Sequence, residues 1–128
     1  MRLNLDCTRD ILLFVEENTG YEKYVKFPEV SEEYELLSNK YGSDVVMYHL
    51  EQCQKSKLIE TTSKDLLGNV YVKDLTPEGH SFIANIRENN VWEKTKKQAK
   101  KIGSTSLDVI IKVASSIISE AIKTTFIC

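Results

Sequence analysis

A run of apolar residues at three- and four-residue steps occupies the chain between Leu5 and Glu17. Residues three and four apart share one face of a helix, so this spacing predicts an amphipathic helix. Asp6 is placed to cap its first turn, and the Asn-Thr-Gly sequence ending at Gly20 marks its end. The inward-facing residues of this helix are Cys7, Ile11, Leu12, Phe14 and Val15.

Residues 21–57 are expected to contribute a short strand and two further helices. Aromatic and β-branched residues precede Pro28, which favours a strand at the edge of a sheet followed by a turn. Ser31 begins a helix that ends at Gly42, and Ser43 begins the next helix, which extends to residue 57. The buried stripe of this third helix consists of Val46, Met47, Leu50 and Cys53.

A hairpin and three more helices complete the pattern. The stretches LIETTS and VYVKDLT are typical of two strands, with Gly68 and Asn69 at the turn between them. Helical spacing then resumes over residues 77–89, 92–101 and 106–126, with a break at Gly103 and Ser104 before the last helix.

This order of elements predicts a mostly helical α+β fold. Three helices and a β-hairpin in this order are typical of a winged helix-turn-helix core, here with a two- or three-stranded wing and a C-terminal helical extension. We expect residues 1–90 to form the winged-helix domain. Residues 91–128 are expected to add a basic helix and an apolar C-terminal helix for dimerisation or docking.

Composition indicates one modest core in a reducing compartment. The chain has 128 residues, of which 41% are hydrophobic. The N-terminal residues are too polar for a signal peptide, so a cytoplasmic location is expected. The three cysteines lie far apart without a C-x-x-C pair, which disfavours a zinc site. Cys7 and Cys53 are expected in the core, and Cys128 is expected to be a frayed terminal thiol.

No pattern in the chain indicates catalysis. His49 and His80 have no second ligand at metal spacing, no serine or cysteine has a recognisable partner motif, and no glycine-rich phosphate loop is present. A hydrolase would need both imidazole rings to meet a carboxylate in one open cleft. Each histidine is instead expected to be half-buried and to bond a backbone carbonyl or a carboxylate. We expect no enzyme activity, no catalytic residue, and no metal, cofactor or small-molecule substrate.

The stretch LTPEGHSFIANIR, residues 75–87, is interpreted as an architectural motif. Thr76 caps a helix, and Gly79 permits close packing. Phe82 faces inward, and His80 and Arg87 fasten the wing to the helix.

Several stretches together resemble a known family. DCTRDILLFVEEN, YHLEQCQKSKLIE, the LT-x-x-G-H-x-F-x-x-x-I-R motif with Trp92, and the SLDV-type last helix follow one another in the same order. They resemble a family of short phage and prophage proteins grouped as a domain of unknown function with a winged-helix fold. Residues 19–42 resemble it least, and Pro77 stands where the family more often has a bulky or charged residue. The resemblance implies a fold and a phage context, and it implies no activity.

Charge is distributed unevenly. Residues 1–90 carry 10 basic and 16 acidic side chains, and residues 91–128 carry 7 and 3. The helix over residues 43–57 is the one that a winged helix places in the major groove, but its acids balance its lysines. Asp65 and Asp74 likewise balance Lys64 and Lys73 in the wing, which weakens the case for DNA binding. The candidate DNA-binding residues are Gln52, Gln54, Lys55 and Lys57 in this helix, Lys64 and Lys73 in the wing, and Lys94, Lys97 and Lys101 in the basic helix.

The last helix carries a wide apolar stripe. Charged residues interrupt the stripe, so a membrane span is not expected. The stripe can pack on its own domain or pair with a second copy, and we expect a homodimer. The candidate interface residues are Trp92, Leu107, Ile110, Ile111, Ala114, Ile117, Ile118, Ala121 and Ile122.

The sequence therefore leads to two alternative hypotheses of function. The first is a non-enzymatic phage-type regulator that binds duplex DNA as a dimer. The second is a protein-interaction module that does not bind DNA, such as a phage-encoded inhibitor of a host defence or transcription protein, whose acidic surface occupies a basic site on its partner.

Overall fold

The structure is a computed structural model that describes residues 1–104 and 106–126. Its elements confirm a mostly helical α+β fold with a small antiparallel sheet. Cys128 lies outside the described residues. The elements are α1 (Leu5–Asn18), β1 (Val25–Phe27), α2 (Glu32–Tyr41), α3 (Ser43–Lys55), β2 (Ile59–Lys64), β3 (Val70–Leu75), α4 (Pro77–Ile86), α5 (Asn89–Ile102) and α6 (Leu107–Phe126).

The chain divides into two compact units. One comprises Arg2–His80 and therefore holds α1, α2, α3 and the sheet, and the other comprises Met1 and the residues from Ser81 onward. We call them the sheet unit and the helical unit.

Local hydrogen bonds fix where the helices begin and end. Asn4, and not Asp6 as predicted, caps α1, because its side-chain oxygen accepts from the Cys7 N–H at 3.1 Å. Ser31 caps α2 as predicted and accepts from the Tyr34 N–H. The third helix ends at Lys55, two residues earlier than expected, since Lys57 takes a left-handed φ of +61° that stops helical winding.

The sheet has the strand order β1-β3-β2, and both pairings are antiparallel. β1 is thus an edge strand, as Pro28 directly after it predicted. Val25 lies opposite Val72, and both side chains are buried. Of β2 only Ile59 is buried, while Thr62, Ser63 and Lys64 are all exposed. Successive strand residues face opposite sides, so the far end of the β2–β3 hairpin projects into solvent on both faces.

An aromatic cluster and a buried histidine fill the core of the sheet unit. The rings of Phe14, Phe27 and Tyr34 meet edge to face, with centroids 5.3 to 6.0 Å apart. Such pairs add roughly 0.5–1.5 kcal/mol each beyond the area they bury. His49 is completely buried and not half-buried as predicted, and it joins the stripe of α3 in place of the partly exposed Met47.

The Leu-Thr-x-x-Gly motif joins the hairpin to α4. The Thr76 hydroxyl donates to the Lys57 carbonyl at 2.6 Å and accepts from the Gly79 N–H at 3.0 Å. The Thr76 N–H also donates to the Leu58 carbonyl at 3.0 Å. A Cβ at Gly79 would overlap that carbonyl oxygen and approach the Leu75 side chain. The predicted cap and the predicted close packing are therefore both confirmed.

In the helical unit, the break at Gly103 is confirmed, because this residue ends α5 with a left-handed φ of +84°. Helix α4 ends at Ile86 and α5 begins at Asn89, each about three residues before the expected position. Among the described residues, no helix is both long and apolar enough to cross a membrane. The buried residues of this unit include Phe82, Ile83, Ile86, Trp92, Thr95, Ala99, Leu107, Ile110 and Ala114.

Replacing Gly79 with alanine is expected to lower the free energy of unfolding by about 2 kcal/mol or more. The new methyl group would overlap the backbone carbonyl of Leu58, which cannot rotate away as a side chain could. Urea unfolding followed by circular dichroism would show a lower midpoint at an unchanged m value.

Gly20→Ala is the matched control, because a Cβ at Gly20 meets nothing within 4 Å. Its free energy of unfolding should stay within about 1 kcal/mol of the wild type. Equal stability of the two variants would contradict this role of Gly79.

Candidate nucleic-acid interface

A tight turn joins helices α2 and α3. Gly42 is the only residue between them, and it has a φ of +90°. Its N–H donates to the Ser38 carbonyl at 2.7 Å, and its carbonyl accepts from the Val46 N–H at 3.0 Å. A residue with a side chain would be strained at this φ, so glycine sets the angle at which α3 leaves α2.

The exposed face of α3 carries the predicted base-reading side chains, but two of them already have partners. Gln54 donates to the Thr61 hydroxyl at 3.0 Å, and Lys55 pairs with Glu51 at 3.0 Å. Gln52 is partly exposed. Both contacts join exposed side chains, which exchange such partners at little cost.

Lysines at the base and tip of the hairpin are more open. Lys57 and Lys64 are exposed and form no ion pair among the described residues. Lys73 lies 3.9 Å from Glu60 on the neighbouring strand, a distance at the limit of an ion pair.

Asp65 organises the turn of the hairpin, a role that was not predicted from the sequence. Its carboxylate accepts from the Leu67 N–H, from the N–H and the side-chain amide of Asn69, and from the Tyr71 hydroxyl. These bonds, above all that from the Asn69 side chain, lower the pKa of Asp65. Leu66 and Leu67 are left fully open to solvent. The signal for this arrangement was an Asp-x-x-Gly-Asn turn with two leucines in it.

Helix α5 carries a row of lysines in the helical unit. Lys94, Lys97 and Lys101 line one side of a groove of about 660 Å³ between α5 and α6. None of the three forms an ion pair with a described residue. Lys96 instead lies 3.2 Å from Glu93 and 5.5 Å from the centre of the Trp92 ring. The structure thus brings three of the predicted DNA-binding lysines together.

The predicted interface residues of the helical unit fall into two groups. Four are buried within the chain itself and are out of reach of a partner, namely Trp92, Leu107, Ile110 and Ala114. The other five also lie on α6, and they are partly exposed (Ile111, Ile117, Ile118) or exposed (Ala121, Ile122).

The two histidines do different structural work within the sheet unit. His49 Nε2 accepts from the Asn4 N–H at 2.7 Å and Nδ1 lies 2.7 Å from the Val45 carbonyl, so the ring ties the start of α1 to α3. His80 is about half exposed, and its Nε2 lies 3.3 Å from the Asp74 carboxylate on β3. His80 therefore contacts β3, the hairpin strand that precedes α4, as predicted. Arg87 follows the end of α4 and is exposed.

Both described cysteines, Cys7 and Cys53, are buried free thiols. Burial, with a smaller contribution from Asp10, raises the pKa of Cys7 to about 12. Burial likewise raises the pKa of Cys53. Thiolates are the reactive form, so both thiols are inert at neutral pH. Among the described residues, no three His, Cys, Asp or Glu side chains are grouped to hold a metal ion.

Comparison with known proteins places the chain in a family. It belongs to the family described as "Hypothetical protein (DUF2513)", whose model matches residues 2–106. A Haemophilus influenzae protein named "Uncharacterized protein" is 35% identical over 83 residues, which cover 62% of this chain and 70% of that protein. No solved structure gives a significant match. The resemblance to a family of unknown function is thus confirmed, while its phage context stays a prediction.

In a Cys128→Ser variant, the two remaining thiols should resist a disulfide reagent such as DTNB at pH 8. The raised pKa leaves about a thousandfold less thiolate at Cys7 than at an ordinary thiol, and both side chains are out of contact with solvent. Both thiols should react promptly in concentrated urea. Rapid modification of the folded variant would show that one of them is accessible.

Proposed function

We propose that the protein is a non-enzymatic winged-helix regulator of phage type that binds duplex DNA as a dimer. The observation that carries the proposal is the path α1-β1-α2-α3-β2-β3 with strand order β1-β3-β2. In the winged-helix arrangement this path makes α3 the recognition helix and the β2–β3 hairpin the wing.

The side chains on these elements are suited to a duplex. Gln54 and Lys55 on α3 are types that bond base edges, and their present partners are exposed and exchangeable. Thr62, Ser63 and Lys64 offer two hydroxyls and an ammonium group along one projecting strand. Hydroxyls and lysines are common donors to phosphate oxygens.

The lysine row of α5 would add to the affinity for DNA. Three ammonium groups without a carboxylate partner in the described part of the chain favour an anionic partner. Neutralising phosphates supplies most sequence-independent affinity. In this proposal Lys94, Lys97 and Lys101 add phosphate contacts that carry no sequence information.

The dimer uses the C-terminal half of α6. Ile118, Ala121 and Ile122 follow the three- and four-residue steps of a helix-pairing seam, and Ile122 is 52% exposed. A second copy of this helix would cover them.

A second candidate, the protein-interaction module, is favoured by a different surface of the sheet unit. Val30 and Leu36 are 90% and 72% exposed, and with Glu32 and Glu35 they line a shallow pocket of about 610 Å³ at the start of α2. Apolar side chains surrounded by carboxylates suit a basic, partly apolar segment of another protein.

DNA binding should be strongly salt-dependent. We expect a fluorescein-labelled 30-base-pair duplex of mixed sequence to bind at 20 mM salt and to weaken steeply by 150 mM in fluorescence anisotropy. The double variant Lys57→Gln/Lys64→Gln should reduce the slope of log K against log salt by about 2, since about one counterion is released per phosphate contact.

Lys40→Gln is the control, because Lys40 is exposed but already paired with Asp10 at 3.0 Å. Its salt slope should equal that of the wild type. If the wild type binds no duplex at 20 mM salt, the regulator proposal fails and the protein-interaction module takes its place. Charge reversal at Glu32 and Glu35 would then be expected to abolish partner capture.

The dimer predicts a sedimenting mass near twice 14.7 kDa at micromolar concentration. Ile122→Glu should yield monomers, because a carboxylate would be buried without a partner in the seam. Ser119→Glu, on an exposed position of the same helix, should leave the dimer intact. A wild type that sediments as a monomer throughout this range would refute the dimer.

A further inference from the structure

Two leucines stand at the tip of the wing. The Gly68 N–H donates to the Asp65 carbonyl at 3.1 Å, which closes a four-residue turn with Leu66 and Leu67 at its centre. Their exposed fractions are 106% and 89%. Polar residues and glycine usually occupy such positions, so two adjacent large apolar side chains require an explanation.

The turn holds these leucines in place. Besides the four bonds that its carboxylate accepts, Asp65 donates its N–H to the Asn69 carbonyl at 3.0 Å. Gly68 supplies the left-handed φ of +86° that the turn needs. A contact made by this tip therefore requires little ordering of the backbone on binding.

Donor groups on the strand before the tip favour a polyanion. Lys64 precedes the turn and has no ion-pair partner among the described residues, and the Thr62 and Ser63 hydroxyls are exposed on the same strand. The Asp65 carboxylate keeps its negative charge, but its oxygens are engaged by four donors of the hairpin itself. An apolar tip flanked by ammonium and hydroxyl groups matches a minor groove, where phosphates lie on either side of stacked bases.

We propose that Leu66 and Leu67 act as a wedge that enters the minor groove of duplex DNA, partly unstacks a base step and kinks the duplex. The wedge rests on the proposed DNA-binding function and adds to it a change in the shape of the bound DNA. Apolar side chains inserted between base steps bend duplexes by roughly 20–90° in known architectural proteins.

Ligase-mediated closure of a mixed-sequence duplex of about 110 base pairs tests the wedge. This length is below the persistence length of about 150 base pairs, so a protein that kinks the duplex at any position speeds its closure. The wild type at low salt should raise the closure rate severalfold. Leu66→Ser/Leu67→Ser should still bind the duplex, measured in parallel by anisotropy, but should leave the closure rate at its value without protein.

Tyr21→Ser is the matched control, because it removes another large exposed hydrophobic side chain, of 96% exposure, from the same unit. It should accelerate closure as the wild type does. Equal closure with the wild type and the double serine variant, or binding by the wild type without faster closure, would overturn the wedge while leaving DNA binding intact. No binding by the wild type would overturn both proposals and assign the leucines to a protein contact.

Discussion

The contact between the Thr76–Gly79 segment and the end of α3 is the constraint on which the rest of the sheet unit depends. Three backbone or hydroxyl bonds join this segment to Lys57 and Leu58 or close its own first turn. Each bond contributes only about 1 kcal/mol. The Leu58 carbonyl, however, lies so close to Gly79 that the two segments can pack at this distance only with a glycine there. The contact thereby sets where β2 begins and how β3 ends, with Ile59 paired to Leu75.

The sequence was informative wherever structure follows from neighbouring residues. The α1 stripe, the Ser31 cap, the Gly42 turn and the Thr76 cap depend on contacts within four or five positions, so periodicity and capping rules predicted them. The burial of His49 was not predictable in this way, because its partner Asn4 lies 45 residues away. Among the candidate site residues, the Lys55–Glu51 pair follows from helical spacing, whereas Lys73 meets Glu60 only through the strand register.

The paired leucines at the tip of the β2–β3 hairpin show a different limit of sequence reasoning. Gly68 and Asn69 predicted a turn in this stretch, and turns are usually polar. No role was therefore predicted for the two leucines. Their significance depends on exposure and on the bonds around Asp65, both of which are properties of the folded hairpin. Two adjacent leucines are too few to show a helical or strand repeat, so the sequence does not distinguish an exposed pair from a buried pair.

The acidity of the sheet unit is only partly compensated within the fold. Asp10 accepts from Lys40 and Tyr41, so an ammonium group balances its charge, whereas Asp65 accepts four hydrogen bonds from neutral donors and keeps its charge. A carboxylate paired with an ammonium group contributes less to the field in solvent than one held by neutral donors. The exposed glutamates Glu32 and Glu35 are instead concentrated in the first turn of α2. The two candidate functions therefore assign their partners to different residues of the sheet unit, the β2–β3 hairpin for a duplex and the start of α2 for a basic protein segment.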